Sequence, residues 1–364
     1  MSDLPAETDY AAAPGAAVRD DAGDAILSVR DLKVTFPTDD GDVKAVDGIS
    51  YEVYRNEVLG IVGESGSGKS VSSMAVLGLL PKTAKITGEI LFRGADLLKT
   101  RESDMQKLRG GSIAMVFQDA LAALNPVFTV GDQISEAVKI HHPDQKKHAL
   151  RDKVIELLDL VGIPNPKARV DQYPHEYSGG MRQRAMIAMA IANDPVVLIA
   201  DEPTTALDVT IQAQVLEVLE RIQDRTDSAI VLITHDLGVV AGMADRVLVM
   251  YAGKQVELGS VDQLFYDPRH PYSIGLLASL PRLDTGDKTA ERLHRIKGQP
   301  PSLIFVPSGC AFHPRCEFAQ LPSPCSTEVP ALREVGELSH LSACHFAESM
   351  QQVSPDDLKP TVTT

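Results

Sequence analysis

"VLGIVGESGSGKS", Val58 to Ser70, is the stretch whose reading decides the fold. Val58 to Val62 is a short apolar run of the kind that makes a buried strand, and Gly63 to Ser70 matches the phosphate-loop pattern between a strand and a helix. Gly63, Gly66 and Gly68, with Ser65 between them, let successive backbone N–H groups curl around a phosphate chain. The helix that follows turns the positive end of its dipole on the same anion. Lys69 is placed to reach the β and γ oxygens and Ser70 to ligate Mg²⁺. After the loop, "KSVSSMAVLGLL" repeats apolar residues at intervals of three and four, which predicts a helix stopped by Pro81.

A phosphate loop needs a carboxylate at the end of a second buried strand. "VVLIADE" supplies Asp201, which would hold Mg²⁺ through water, with Glu202 behind it to polarise an attacking water. "DPVVLIAD" and "SAIVLITHD" both read as apolar strands, and the helical "TIQAQVLEVLERIQ" lies between them, the pattern of a parallel sheet. Ahead of the loop, "ILSVRDLKVTF" and "GISYEVYRNEVLGIVG" flank the turn "PTDDGD" and predict antiparallel strands. Residues 129–160 have helical periodicity and predict a helical subdomain. "ADRVLVMYAGKQVELG" predicts two short strands about a glycine turn.

Composition narrows the function further. Thirty-five Lys and Arg against fifty Asp and Glu give a net charge of -15, with no basic block, so direct nucleic-acid binding is not expected. The longest apolar run, Ala185 to Ala192, is far short of the ~18 residues that span a bilayer. The first 25 residues hold eight Ala and six acids against one Arg, which predicts a disordered tail rather than a secretory signal. Beyond Phe265 the chain becomes rich in proline and predicts a loop-rich segment in need of a staple.

"YSGGMRQRAMIAMAIAND", Tyr177 to Asp194, opens a second helix on Ser-Gly-Gly, and with it the chain resembles the ATP-binding cassette family. The resemblance implies a RecA-like α/β P-loop ATPase core with an antiparallel β-subdomain and a helical subdomain. It implies that Ser178, Gly179 and Gly180 close over the ATP of a partner cassette. It assigns Phe36 to adenine stacking, Gln118 in "MVFQD" to Mg²⁺ and the attacking water, Asp208 in "TTALD" to coupling of the two sites, and His235 in "LITHD" to the γ-phosphate. The signature reads SGGM where many cassettes have SGGQ, and the aromatic is Phe rather than Tyr.

"LNPVFTVGDQI", "YPHEYSGGMRQR", "DPRHPYSIGLLASLPRL" and "IKGQPPSLIFVPSGCAFHPRC" narrow the resemblance to the oligopeptide and dipeptide importer ATPases. The expected organisation is a tail over 1–25, a cassette over 26–265, a C-terminal extension with a cysteine module over 266–346 and a flexible tail over 347–364. The implied assembly has two transmembrane permeases, a second ATPase subunit of a different chain and an extracytoplasmic binding protein, with this chain peripheral on the cytoplasmic face of the membrane. Related importers serve nickel, sugars or glutathione as well as peptides. A soluble regulatory cassette with a metal sensor is the alternative. "HPYSIGLL" is expected to dock against its own cassette or a twin.

The four cysteines, Cys310, Cys316, Cys325 and Cys344, all lie within 35 residues, which random placement would give in under about 1 % of such chains. Reduced surroundings disfavour disulfides. Their spacing, C-x5-C-x8-C-x18-C, has none of the short knuckles of structural zinc. Four thiolates at long gaps suit a [4Fe-4S] cluster, with zinc and free thiols as alternatives. The resemblance implies such a cluster too, although "QLPSP" makes the second gap longer than the family's.

Overall fold

Buried apolar residues such as Leu32 and Val34 on one strand and Ile49, Tyr51 and Val53 on the other hold together the hairpin ahead of the phosphate loop, β1 (Leu27–Thr38) against β2 (Gly41–Val53). β1 also pairs with β4 (Lys85–Phe92), and β5 (Ala95–Asp96) completes a four-stranded antiparallel sheet in the order β2-β1-β4-β5. This is the computed structural model of the chain, and it describes residues 25–119, 123–205, 208–280 and 295–353.

A larger sheet forms the core. β3 (Val58–Val62), β6 (Ile113–Val116), β7 (Val197–Asp201) and β8 (Ala229–Thr234) are buried along their whole lengths, as strands covered on both faces must be. β9 (Arg246–Tyr251) joins them in parallel, and β10 (Lys254–Ser260) turns back on β9 through Ala252 and Gly253, both at positive φ. Among the described residues the order is β11-β12-β10-β9-β3-β8-β7-β6. β11 (Arg333–Glu334) and β12 (Leu341–Ser342) come from the C-terminal extension, which therefore adds its strands to the edge of the cassette's own sheet.

Helices cover both faces. α1 (Lys69–Val76) follows β3, and α2 (Glu102–Leu108) precedes β6. α1 stops well before Pro81: Gly78, at φ +61, donates to the Ala75 carbonyl and Leu79 to that of Met74, the closing bonds of a glycine-capped end. The helical subdomain is α3 (Val130–His141), α4 (Lys147–Leu160), α5 (Pro166–Arg169) and α6 (Gly179–Ala190), packed on α7 (Val209–Thr226). α8 (Leu237–Met243) and α9 (Val261–Tyr266) follow β8 and β10.

α10 (Pro271–Ala278) is "HPYSIGLL" without its first residue and with Ala278 added, and it docks on its own cassette. The Tyr272 ring lies 4.7 Å from that of Tyr251 on β9, and Phe312 packs on both. The loop-rich stretch over 295–346 folds back on the same core, where Ala311 and Phe312 join the cluster that holds Val62, Val249 and Tyr251. Order runs past the boundary expected at 346: α11 (Ala347–Met350) buries Ala347 and Met350, the latter against Ile274 of α10. The tail expected from 347 is thus corrected at its start, and its remainder and the first 24 residues lie outside the described residues.

Candidate nucleotide site

β8 stands between β3 and β7, and β6 flanks β7, so four parallel strands end on one edge. Their order fixes what meets there: the phosphate loop after β3, His235 after β8, Asp201 and Glu202 at the end of β7, and Gln118 after β6. An open parallel sheet presents its ligand site at this carboxyl edge.

Two of the loop's glycines stand where no side chain would fit. Gly63 has φ +153, and a Cβ there would lie 2.2 Å from the Met250 carbonyl oxygen. Gly68 has φ +101, and its Cβ would lie 2.2 Å from that of Ala45. Gly66, at φ +79, meets nothing within 4 Å and faces open space. Lys69 Nζ donates to the Gly63 carbonyl at 2.7 Å and to the Glu64 carbonyl at 3.0 Å, folding the loop over its own side chain. Burial lowers the Lys69 pKa, against the pull of Glu202, Asp201 and Glu64. The first N–H groups of α1 have no carbonyl within the helix to receive them and point into the loop.

Ser70 Oγ donates to Asp201 Oδ1 at 2.9 Å, joining loop to β7. Burial, with the neighbouring Glu202 charge, raises the Asp201 pKa, opposed by the Ser70 hydrogen bond and the Lys69 charge. Glu202, at φ +47, is held in the left-handed region by the sheet, its N–H donating to the Ile233 carbonyl. Gln118 Nε2 and Thr205 Oγ1 donate to Glu202 Oε2 at 2.9 and 2.8 Å, and His235 Nδ1 stands 3.5 Å from Oε1. Thr205 went unread in the sequence, although it belongs to the same "EPTTALD" text.

Other elements place the remaining predicted residues. Ser178 caps α6, accepting from Met181 N–H at 3.3 Å, and both it and Gly179 are exposed. Gly180 is buried, and a Cβ there would lie 2.7 Å from Ile211. Asp208 caps α7 by accepting from Ile211 N–H at 2.9 Å, so α6 and α7 begin side by side. Phe36 is on β1, half-buried against the antiparallel-sheet core; its cross-strand partner Val43 lines the cavity beside the loop. That cavity, about 470 Å³, lies between Glu64–Ser67, Val43 and the C-terminal stretch Pro300–Ile304, whose contribution no motif announced.

Cys310, Cys316, Cys325 and Cys344 line a second, apolar cavity with His270, Phe312 and Met350 among its other walls. Burial pushes the Cys316 and Cys344 thiols up to about 12 and raises that of Cys310. The longer second gap does not displace Cys325, which is buried and returns its carbonyl to Cys310 N–H at 2.9 Å. Among the described residues no three His, Cys, Asp or Glu side chains gather closely enough to hold a single metal ion.

Residues 46–205 match the ABC transporter family model, and residues 256–322 match that of the oligopeptide/dipeptide transporter C-terminal region. The dipeptide transport ATP-binding protein DppD of Bacillus subtilis is 54% identical over 293 residues, 80% of this chain and 86% of that one. The chain belongs to the ATP-binding proteins of the oligopeptide and dipeptide ABC transporters. The oligopeptide transport ATP-binding protein OppD of Mycobacterium tuberculosis is 52% identical over 92% of this chain, which spans only 54% of that relative's length. Among solved structures, CbiO1 of Clostridium perfringens, part of an ABC transporter complex, superposes with a TM-score of 0.58 at 28% identity over 70% of this chain and 96% of its own. A dimeric bacterial ABC transporter cassette gives the same score at 23% identity and supports the fold, over 65% of this chain and 98% of its own. In a transporter family, this chain has no helix among the described residues long and apolar enough to cross a membrane.

Proposed function

We propose that the chain binds and hydrolyses MgATP and so energises uptake of oligopeptides or dipeptides through membrane permeases. The observation that carries the reading is the single edge on which Lys69, Ser70, Asp201, Glu202, Gln118 and His235 meet. Lys69 and the loop N–H groups take the β- and γ-phosphates. Ser70 and Asp201, brought within 2.9 Å of each other at the carboxyl edge, would hold Mg²⁺, with Gln118 on the same edge. When bound there, the ion would supply positive charge against that developing on the transferred phosphoryl group. Glu202 takes the proton of the attacking water, while Gln118 and Thr205 aim its carboxylate and His235 meets the γ-phosphate.

Ser178, Gly179 and Gly180 then serve a second cassette, expected to be a different chain; the exposure of Ser178 and Gly179 at the start of α6 supports this. Phe117, Val127 and Phe128, exposed around the Gln118 segment, favour a permease docking there on the cytoplasmic face of the membrane. An extracytoplasmic binding protein would choose the cargo. In this reading Glu202→Gln keeps MgATP binding but lowers hydrolysis by about a hundredfold or more, since the amide keeps the site's shape and cannot take a proton. Wild-type turnover in a phosphate-release assay would remove Glu202 from the role.

The four cysteines line one apolar cavity, and four thiolates are the number a [4Fe-4S] cluster takes, one at each corner. Such a cluster would staple the loop-rich extension. Anaerobically purified protein should contain about four iron and four acid-labile sulfide per chain, the stoichiometry of that cluster. Metal-free, stably folded protein would leave four structural thiols.

A further inference from the structure

Glu64 is an awkward residue to find in a phosphate loop, because its carboxylate stands beside a site for a polyanion. Every polar group it has is nevertheless held. Its N–H donates to Tyr272 Oη at 2.9 Å, and its carbonyl accepts from Lys69 Nζ at 3.0 Å and Ser67 N–H at 3.1 Å. Arg315 grips the carboxylate with both arms of its fork, Nη1 to Oε2 at 2.6 Å and Nη2 to Oε1 at 3.0 Å. Two of these partners, Tyr272 and Arg315, belong to the C-terminal extension; Arg315 is 251 residues away in sequence.

The grip is itself built in. The Arg315 side chain is 6% exposed and that of Glu64 28%. Arg315 Nε donates to the Lys297 carbonyl at 2.9 Å, Nη1 reaches Tyr251 Oη at 3.4 Å, and the guanidinium lies 5.8 Å over the Tyr251 ring. Burial opposes its charge, but the bonds to Glu64 and Tyr251 outweigh that and raise its pKa. A cation fixed on four sides in this way has one carboxylate to serve, and it is the one in the loop.

We propose that Arg315 is a positioning residue for nucleotide: it neutralises Glu64 and fixes the phosphate loop, so that the C-terminal extension sets the ATP affinity of the cassette. The proposal rests on the reading that the loop takes MgATP and goes beyond it by giving the extension a part in that binding. Without Arg315, a bare carboxylate within the loop would repel the triphosphate, and Glu64 would be held only through its backbone, by Tyr272, Lys69 and Ser67.

Calorimetric titration of the full-length chain with MgATP tests this. Binding by wild type that is abolished in Lys69→Ala establishes the site independently of the proposal. Arg315→Gln should weaken binding by about tenfold or more, the scale of one uncompensated charge near another in a partly buried site. Arg315→Lys, which keeps the charge but not the fork, should fall between. In a Glu64→Gln background Arg315→Gln should cost less than about twofold, because the charge it answers is gone. In the assembled transporter the loss should fall on KM rather than kcat. Undiminished affinity in Arg315→Gln, or the same loss in both backgrounds, would overturn the proposal. Near-ultraviolet circular dichroism checks folding. If Arg315→Gln does not fold, Arg315→Lys takes its place in both backgrounds, and an equal loss in the two, or none, overturns the proposal in the same way.

Discussion

Gly68 illustrates how single residues govern this site. Its positive φ and the Ala45 carbonyl 2.2 Å from where a Cβ would sit leave no room for any side chain. Gly68→Ala must therefore push the start of α1 away from β2, and MgATP affinity in a calorimetric titration should fall by at least about tenfold through lost N–H alignment. Unchanged affinity would mean that the loop's backbone does not cradle the phosphates. At this scale Lys69, Ser70, Asp201 and Glu202 were legible because each sits in a short motif whose chemistry demands that residue type. Glu64 and Arg315 were not, since a salt bridge across 251 residues leaves no local mark on the sequence around either partner.

At the scale of elements, the C-terminal extension is joined to the cassette by a buried carboxylate. Glu257, on β10 and fully buried, accepts from Arg269 N–H at 2.6 Å and His270 N–H at 3.0 Å at the approach to α10, and meets His340 Nε2 at 2.8 Å before β12. Glu257→Ala strands these donors without water or partner. We expect unfolding in urea to show a loss of about 3 kcal/mol, the scale for breaking a buried charged network. The strands and helices of the cassette followed from hydrophobic period, but helix ends did not: α1 ends at Gly78's left-handed turn because a glycine cap acts sooner than the proline three residues on. β11 and β12, two residues each, are too short to carry any periodic signal.

Taken whole, the described residues form a four-stranded antiparallel sheet and a larger core sheet, with the C-terminal extension woven into the edge of the larger one. Truncation after Tyr266 would strip β12 from β10 and remove Tyr272 and Phe312 from Tyr251, so the shortened chain should be recovered mainly as aggregate, measured by soluble yield and size exclusion. A soluble, nucleotide-binding product would show the extension to be dispensable. What the sequence by itself determined is the set of local patterns: the phosphate loop, the acid pair, the Ser-Gly-Gly helix start and the four clustered cysteines each place particular residue types at particular spacings along the chain. What only the tertiary structure decided is which of these meet. The strand order β3-β8-β7-β6 lines up Lys69, His235, Glu202 and Gln118 on one edge, and the return of the chain after 295 sets Arg315 on Glu64. Strand order and long-range ion pairs arise from packing of distant segments, and packing is a property of the folded chain that no window of sequence contains.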